Sequence, residues 1–141
     1  MTSTTIIIPG SPATGSFKFT KAGHKYTPSN VAEWRAYVRL MVMQAMKECI
    51  PERHPVEVTI IIRKPRVKSL PKNANAKWPC PWAWVTKPDV DNCTKGLFDA
   101  AKTVAFHDDA QVTDLIVRKR WGEREEVEIR IRELSEEDAK E

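Results

Sequence analysis

Four aspartates constrain this chain more than any apolar stretch does. KPDVDN, Lys87 to Asn92, sets Asp89 and Asp91 one residue apart, and HDDAQV, His107 to Val112, sets Asp108 and Asp109 side by side a helix-length later. Like charges brought close disfavour one another's ionised form. Any fold must keep the two pairs apart or hold them together on something positive. One aspartate before a helix is accounted for by capping, for which Asp is a preferred residue. Two before a helix and two after it ask for more. A helix of about twelve residues is roughly 18 Å long, so the pairs meet only if the intervening chain doubles over. If they meet, a divalent ion is the natural solution. Mg2+ takes hard oxygen ligands and keeps several waters, and one or two carboxylates with substrate phosphate often suffice to hold it. Such an ion polarises a phosphoryl oxygen and activates a water. The spacing alone leaves a metal site and plain helix capping as equal alternatives.

Lys95 lies four residues after Asp91, on the same helix face. An ammonium there stabilises charge developing on a phosphate or positions the attacking water. The plainer account is an ordinary helical Asp–Lys pair, worth about a few tenths of a kcal/mol. Asp99 continues the row and reads as a cap or brace.

The surroundings favour a phosphate. Net charge is +4 over 141 residues. From Val58 to Pro88 there is no Asp or Glu, while Arg63, Lys64, Arg66, Lys68, Lys72, Lys77 and Lys87 lie in that stretch. A basic run without acids is the electrostatic footprint of a nucleic-acid partner. Residues 1–134 read as one domain, carrying a long basic loop at 64–87, and residues 135–141 as a solvated, frayed acidic tail. No apolar run reaches membrane-spanning length, and the first residues carry no signal-peptide pattern, so no membrane partner and a cytoplasmic location are expected. Cys49, Cys80 and Cys93 are odd in number and lack C-x-x-C spacing, which argues against a disulfide partner and a zinc knuckle.

Secondary structure follows from periodicity. Thr5 to Ile8 reads as a buried strand stopped by Pro9-Gly10. Phe17, Phe19 and Tyr26 are candidates to anchor the polar segment that follows, which has brief extended pieces. Asn30 and Glu33 form a capping-box pattern for a helix from about Val31 to Glu48, with Val31, Trp34, Val38, Met41, Val42, Ala45 and Met46 at helical spacing. Met41, Met43 and Met46 read as core filling. Arg35 and Arg39 share another face, either solvated or phosphate-facing. VEVTIIIR, Val56 to Arg63, alternates and then becomes wholly apolar, a strand. The loop after it interleaves Trp78, Trp82 and Trp84 with prolines. A loop of that length is functional or mobile, or a flap covering an apolar edge; both readings stand. A second helix fits Asn92 to Thr103, with Cys93, Leu97 and Ala101 in one row and Phe98 beside it. Val112 to Trp121 and Glu126 to Arg132 alternate and read as an antiparallel hairpin.

KPDVDNCTKGLFDAAKTVAFHDDAQVTDLIVRKR resembles the RusA family of Holliday-junction resolvases, enzymes often encoded by phages and prophages. The family pattern is K/R-x-D-x-D-N-x-x-K-x-x-x-D-A on a helix, then D-D-x-Q-V leading into a strand. The match runs from about Lys87 to Arg120; the Pro-rich start, the Y-T-P-S lead-in and the long first helix also look like the family. The resemblance implies an α/β (α+β) fold, a small mixed β-sheet with two main helices, acting as a homodimer. It implies an Mg2+-dependent endodeoxyribonuclease, with Mn2+ as a substitute ion, that makes paired symmetric nicks in four-way DNA during recombination and repair. By motif position Asp89, Asp91 and Asp109 are the essential carboxylates and Lys95 the catalytic lysine. Asp108 adjoins them as ligand or support, and Asn92 and Gln111 are expected to hydrogen-bond behind them. Arg63, Lys64, Arg66, Lys68, Lys72, Lys77 and Lys87 are expected to contact DNA, and the loop tryptophans to wedge at the crossover or stack on a base. Cys93, Thr94 and Ala101 depart from the family pattern in ways that touch packing. The start also lacks the basic run many relatives carry, leaving Lys18 and Lys21 as contacts there. Rival readings are a nuclease of broader branched-DNA specificity, a catalytically silent DNA-binding relative, and a domain whose basic loop binds protein.

Overall fold

Val56–Lys64 (β4) organises the sheet. Val56, Val58, Ile60 and Ile62 are buried on one face, and Thr59 and Ile61 on the other. A strand buried on both faces needs neighbours on both sides and cover above and below. The structure is a computed structural model that describes residues 2–14, 18–26 and 29–140, with residues 18, 19, 25 and 26 described by backbone only. In it β4 runs parallel to β5 (Val112–Trp121) and antiparallel to β6 (Glu126–Glu133), and β6 pairs antiparallel with β1 (Ser3–Pro9). The strand order is β1-β6-β4-β5, a mixed four-stranded sheet, with a separate two-stranded ribbon of β2 (Lys18–Phe19) and β3 (Lys25–Tyr26). Phe17 and residues 27–28 of the Y-T-P-S lead-in lie outside the described residues, as do the side chains of Phe19 and Tyr26.

The expected hairpin of the last two strands does not form. β4 is inserted between them, and the turn after β5 crosses its end, where Gly122 donates its N–H to the Lys64 carbonyl at 2.9 Å. The crossing is tight: a Cβ at Gly122 would come within 3.2 Å of Arg63. Burial explains the order. β6 hides Val127, Glu128, Ile129 and Ile131, whereas β5 is exposed along most of its length. β6 therefore takes an interior place and β5 an edge. Glu128 remains charged inside because Arg63 reaches it at 3.0 Å and Arg130 from the other side.

The connections β1–α1–β4 and β4–α2–β5 both join parallel strands, which requires a crossover. They use α1 (Ser29–Ala45), packed on β1, and α2 (Val90–Ala101), packed on β5. The two helices touch each other over the sheet, giving the α+β fold with two main helices that the motif resemblance implies. The buried rows are those that periodicity gives: Val31, Trp34, Val38 and Val42 on α1, and Cys93, Leu97 and Ala101 on α2. α1 begins at Ser29, so Asn30 is already helical, and it ends at Ala45, short of Glu48; α2 is displaced two residues toward the N-terminus. Met46 is buried and Met41 packs on the core, but Met43 is 55% exposed and fills nothing.

Arg35 and Arg39 both reach toward α2. They form the seam between the helices. α2 has no basic residue in its last turn, and the last carbonyls of any helix lack partners within it. Arg39 supplies them from α1, donating through Nη1 to the Lys102 carbonyl at 2.8 Å and through Nη2 to Thr103 Oγ1 at 2.9 Å. One turn earlier Arg35 Nη2 lies 3.6 Å from Asp99, the brace that the helical row predicts. Residues 135–140 are largely exposed and carry local contacts. Asp138 accepts from the Ser135 N–H at 2.7 Å and from Arg132 Nη1 at 3.2 Å, within a short 3-10 turn, Glu137–Ala139.

Replacing Arg39 by Ala removes these exposed hydrogen bonds, so R39A is expected to cost about 0.5–1.5 kcal/mol. Urea unfolding should show a lower midpoint at unchanged slope. A midpoint equal to that of the wild type would remove Arg39 from this account of α2.

Candidate metal and nucleic-acid site

Asp89 stands at the N-cap of α2, with extended backbone (φ −77°, ψ 146°), yet its side chain makes no capping hydrogen bond. The carboxylate points outward, where Lys87 Nζ meets it at 2.8 Å. That hydrogen bond, outweighing desolvation, holds the Asp89 carboxyl below its ordinary range. Asp91 is exposed in the first turn, and Lys95 is exposed one turn further along the same face. Asn92 is exposed beside them. The helix start therefore presents two carboxylates that the fold does not consume, together with two lysines.

The second pair is built differently. Asp108 is a true cap: its Oδ1 accepts the Ala110 N–H at 3.2 Å and starts the 3-10 turn Asp109–Gln111. Gln111 locks that turn to the sheet. Its Oε1 accepts the N–H groups of His107 at 2.7 Å and Asp108 at 3.0 Å, and its Nε2 donates to the carbonyls of Pro51 at 2.8 Å and His54 at 3.0 Å. A buried amide with both donors and its acceptor engaged fixes a loop rigidly. Asp109 sits on this support with its Oδ1 buried and without a hydrogen-bond partner. Burial, aided by the charges of Asp99 and Asp108 and opposed by Lys102, raises its carboxyl above the ordinary value of 3.8.

α2 keeps the pairs apart within one chain. Its twelve residues cover roughly 18 Å, and the chain turns back only after Asp108 and Asp109, as it enters β5. The charges that bear on Asp89 are Lys87 and Lys119; those that bear on Asp109 are Lys102, Asp99 and Asp108. Among the described residues no group of three His, Cys, Asp or Glu is placed to hold a metal ion. Asp89 and Asp91 are nevertheless hard oxygen donors open to solvent, the set that a hydrated Mg2+ accepts.

The acid-free stretch divides in two. Arg63 is paired with Glu128, Lys64 Nζ lies 4.6 Å from the centroid of the Trp84 ring, and Arg66 donates to the carbonyls of Leu70 and Pro71. Lys68, Lys72 and Lys77 are exposed, and Lys87, also exposed, is paired with Asp89. Of the tryptophans, Trp84 is buried and stacks on Trp121, with ring centroids 5.6 Å apart and planes 13° from parallel, while Trp82 is 77% exposed. Trp84 thus covers the edge at Trp121, as a flap would.

The family model described as Endodeoxyribonuclease RusA matches residues 9–132, a span that takes in both acidic pairs, Lys95 and most of the sheet. The chain belongs to the RusA family. It is also similar to the Uncharacterized protein YqaN of Bacillus subtilis (strain 168), at 35% identity over 115 residues, 79% of this chain and 80% of that one. As a RusA-family member the chain is grouped with endodeoxyribonucleases. No helix among the described residues is long and apolar enough to cross a membrane.

One residue of this RusA-family site escapes the motif. Lys119 Nζ donates to the carbonyls of Thr86 at 2.6 Å and Pro88 at 2.9 Å and lies 5.2 Å from the centroid of the Trp84 ring. It ties the end of the loop, immediately before Asp89, to β5. The sequence does hold a signal. Lys119 pairs in register with Ile62, between Val117 and Trp121 on the inward face, and a charge at an inward strand position needs a dedicated partner.

Two outcomes follow from this geometry. An acid whose folded pKa is raised contributes stability below its ordinary pKa, and that contribution is lost as pH climbs through the raised value. D109N should therefore raise the metal-free melting temperature at pH 7. The gain should vanish well below the ordinary Asp value of roughly 3.9, where the carboxyl is neutral in either state; a D109N protein that melts lower at pH 7 would contradict the burial cost assigned to this carboxylate. K119M should free the segment before Asp89, which limited proteolysis within residues 65–88 would detect as faster cutting than in the wild type.

Proposed function

We propose that this chain is an Mg2+-dependent endonuclease that resolves four-way DNA junctions as a homodimer. The observation that carries the reading is the idle cap: Asp89 occupies the N-cap of α2 with its carboxylate turned outward beside Asp91. A carboxylate needed only for the helix would cap it. Asp89 and Asp91 would hold the ion. When bound, the ion supplies Lewis acidity to the scissile phosphate and lowers the pKa of an attacking water. Lys95, one helical turn from Asp91, meets the negative charge that builds on the phosphate. Lys68, Lys72, Lys77 and Lys87 hold neighbouring backbone phosphates, which position DNA without reading its sequence. Arg63, Lys64 and Arg66 shape the surface from which those lysines project.

The third carboxylate is supported by symmetry. β5 is an edge strand whose outer side is unpaired among the described residues, and Leu115 and Ile116 on it are 46% and 38% exposed. Such an edge is a template for another strand. Antiparallel pairing of two β5 strands about Ile116 would set Asp114 opposite Arg118 of the partner subunit. It would also reverse the sheet direction across the seam. The Asp108–Asp109 end of one subunit then falls beside the Asp89–Asp91 end of the other, so each site takes Asp89 and Asp91 from one chain and Asp109 of the partner subunit, with Asp108 supporting the turn. Two such sites about a two-fold axis suit a substrate with two-fold symmetry.

Cleavage of a synthetic four-way junction, beside a linear duplex of the same sequence, tests the activity. Paired symmetric nicks are expected in the junction alone, with Mg2+ or Mn2+. EDTA should abolish them, and D91N should lower the rate by roughly 10²–10³-fold, the scale of losing one electrostatic group at a reacting centre. Mixing D91N with D109N tests the composite site. A shared site leaves one intact centre per mixed dimer, so single nicks should return; if both sites were internal to one chain, the mixture would stay inactive. Junction binding with no cutting in any arm would replace this reading with that of a silent DNA-binding relative.

A further inference from the structure

We propose that Trp82, with the cavity beside it, takes up an unstacked nucleobase of branched DNA next to the Asp89–Asp91 site. The proposal rests on the junction reading above and adds a base-binding residue to it.

Trp82 is 77% exposed, whereas Trp34 and Trp84 are buried. A single exposed apolar side chain ordinarily needs no explanation. This one differs because the turn that presents it is anchored on both sides. Pro81 is buried, and its carbonyl accepts from Trp121 Nε1 at 3.2 Å. The Ala83 N–H closes the turn on the Cys80 carbonyl at 3.1 Å, and Trp84 then stacks on Trp121. The backbone on either side is fixed while the indole stands in water. A hydrophobic clamp with no ligand would gain by folding that indole under.

The indole borders a cavity of about 290 Å³ lined by Trp82, Ala83, Trp84, Lys119 and Arg120. Aromatic faces beside cations match the chemistry of a base with its phosphate: the ring stacks on the base, and Lys119 and Arg120 meet the backbone charge. Lys119 also fixes the position, since it donates to the Pro88 carbonyl, one residue before Asp89. A base lodged here lies next to the carboxylates that act on the phosphodiester. Stacking is tolerant of sequence, so it selects for an unpaired base rather than a particular one. The pairs that flank the crossover of a four-way junction lose continuous stacking there, so a base is freed at lower cost than inside a linear duplex.

The experiment uses a four-way junction carrying 2-aminopurine at the branch point, a second junction with the label in mid-arm, and a linear duplex. Full-length D91N is compared with D91N/W82A and D91N/W82F. D91N should change the emission of the branch-point label and leave the mid-arm label unaltered. W82A should abolish that change and weaken junction affinity by about 5- to 100-fold, the measured scale of one base–aromatic stack, with duplex affinity untouched. W82F should retain most of both. Cleavage by protein with Asp91 intact is read on the same junction. If it cuts while W82A leaves emission and affinity unchanged, the base site is overturned and the nuclease stands. If nothing cuts but the emission change still requires Trp82, the base site stands and the nuclease reading falls. If W82A lowers the mass measured by light scattering and weakens junction and duplex equally, Trp82 belongs to the contact between copies and the proposal is overturned.

Discussion

Covering β4 on both sides is the constraint on which the rest depends. Val58, Thr59, Ile60, Ile61 and Ile62 are consecutive and all buried, so neither face of that strand can look onto water. Strands must flank it, and the helices must lie over it. Once β6 fills one side, β5 is the strand left for the other, and a parallel neighbour can be reached only through a crossover. α2 is that crossover. Its direction is thereby set, and so is the separation of the residues at its two ends. The placement of the acidic pairs is a consequence of hiding five apolar or weakly polar side chains.

A second dependence runs through the loop after β4. Nothing in residues 65–89 is helix or strand, yet the segment is held at both ends by the same cluster. Lys64 and Lys119 lie over Trp84, Trp84 stacks on Trp121, and Lys119 donates to the carbonyls that lead into Asp89. Cation and ring attract through the quadrupole of the aromatic face. The result is a fixed platform at the carboxyl ends of β4 and β5, on which one tryptophan and several lysines are left facing solvent.

The two halves of the candidate site differ in how the fold supports them. Asp89 and Asp91 stand exposed at a helix start, Asp89 met only by Lys87. Asp109 is carried on a turn braced by Asp108 and Gln111 and is disfavoured there as an anion. An arrangement that leaves a buried carboxylate oxygen unpaired costs stability, and such costs concentrate where a ligand is to be bound.

Much of this was legible from residues alone. Apolar periodicity located both helices and the four main strands, because side-chain spacing reports which face meets the core. The motif DVDN–K–D followed by DDAQV gave the family. Pairing was not legible. β5 and β6 both alternate and are separated by a short turn, so they look like a hairpin; only the demand of β4 for two neighbours divides them. The roles of Arg35 and Arg39, and the partners of Lys119, were hidden for a related reason. Each long side chain serves a residue more than thirty positions away, and local spacing carries no record of that. The sequence by itself therefore determined which residues carry chemistry and which face each element buries, since those depend on side-chain type and period. Only the tertiary structure decided that Asp89 caps nothing, that Trp82 is exposed while Trp84 is not, and that the acidic pairs stand at opposite ends of α2. Those depend on which elements pack together, and that was decided by burying β4.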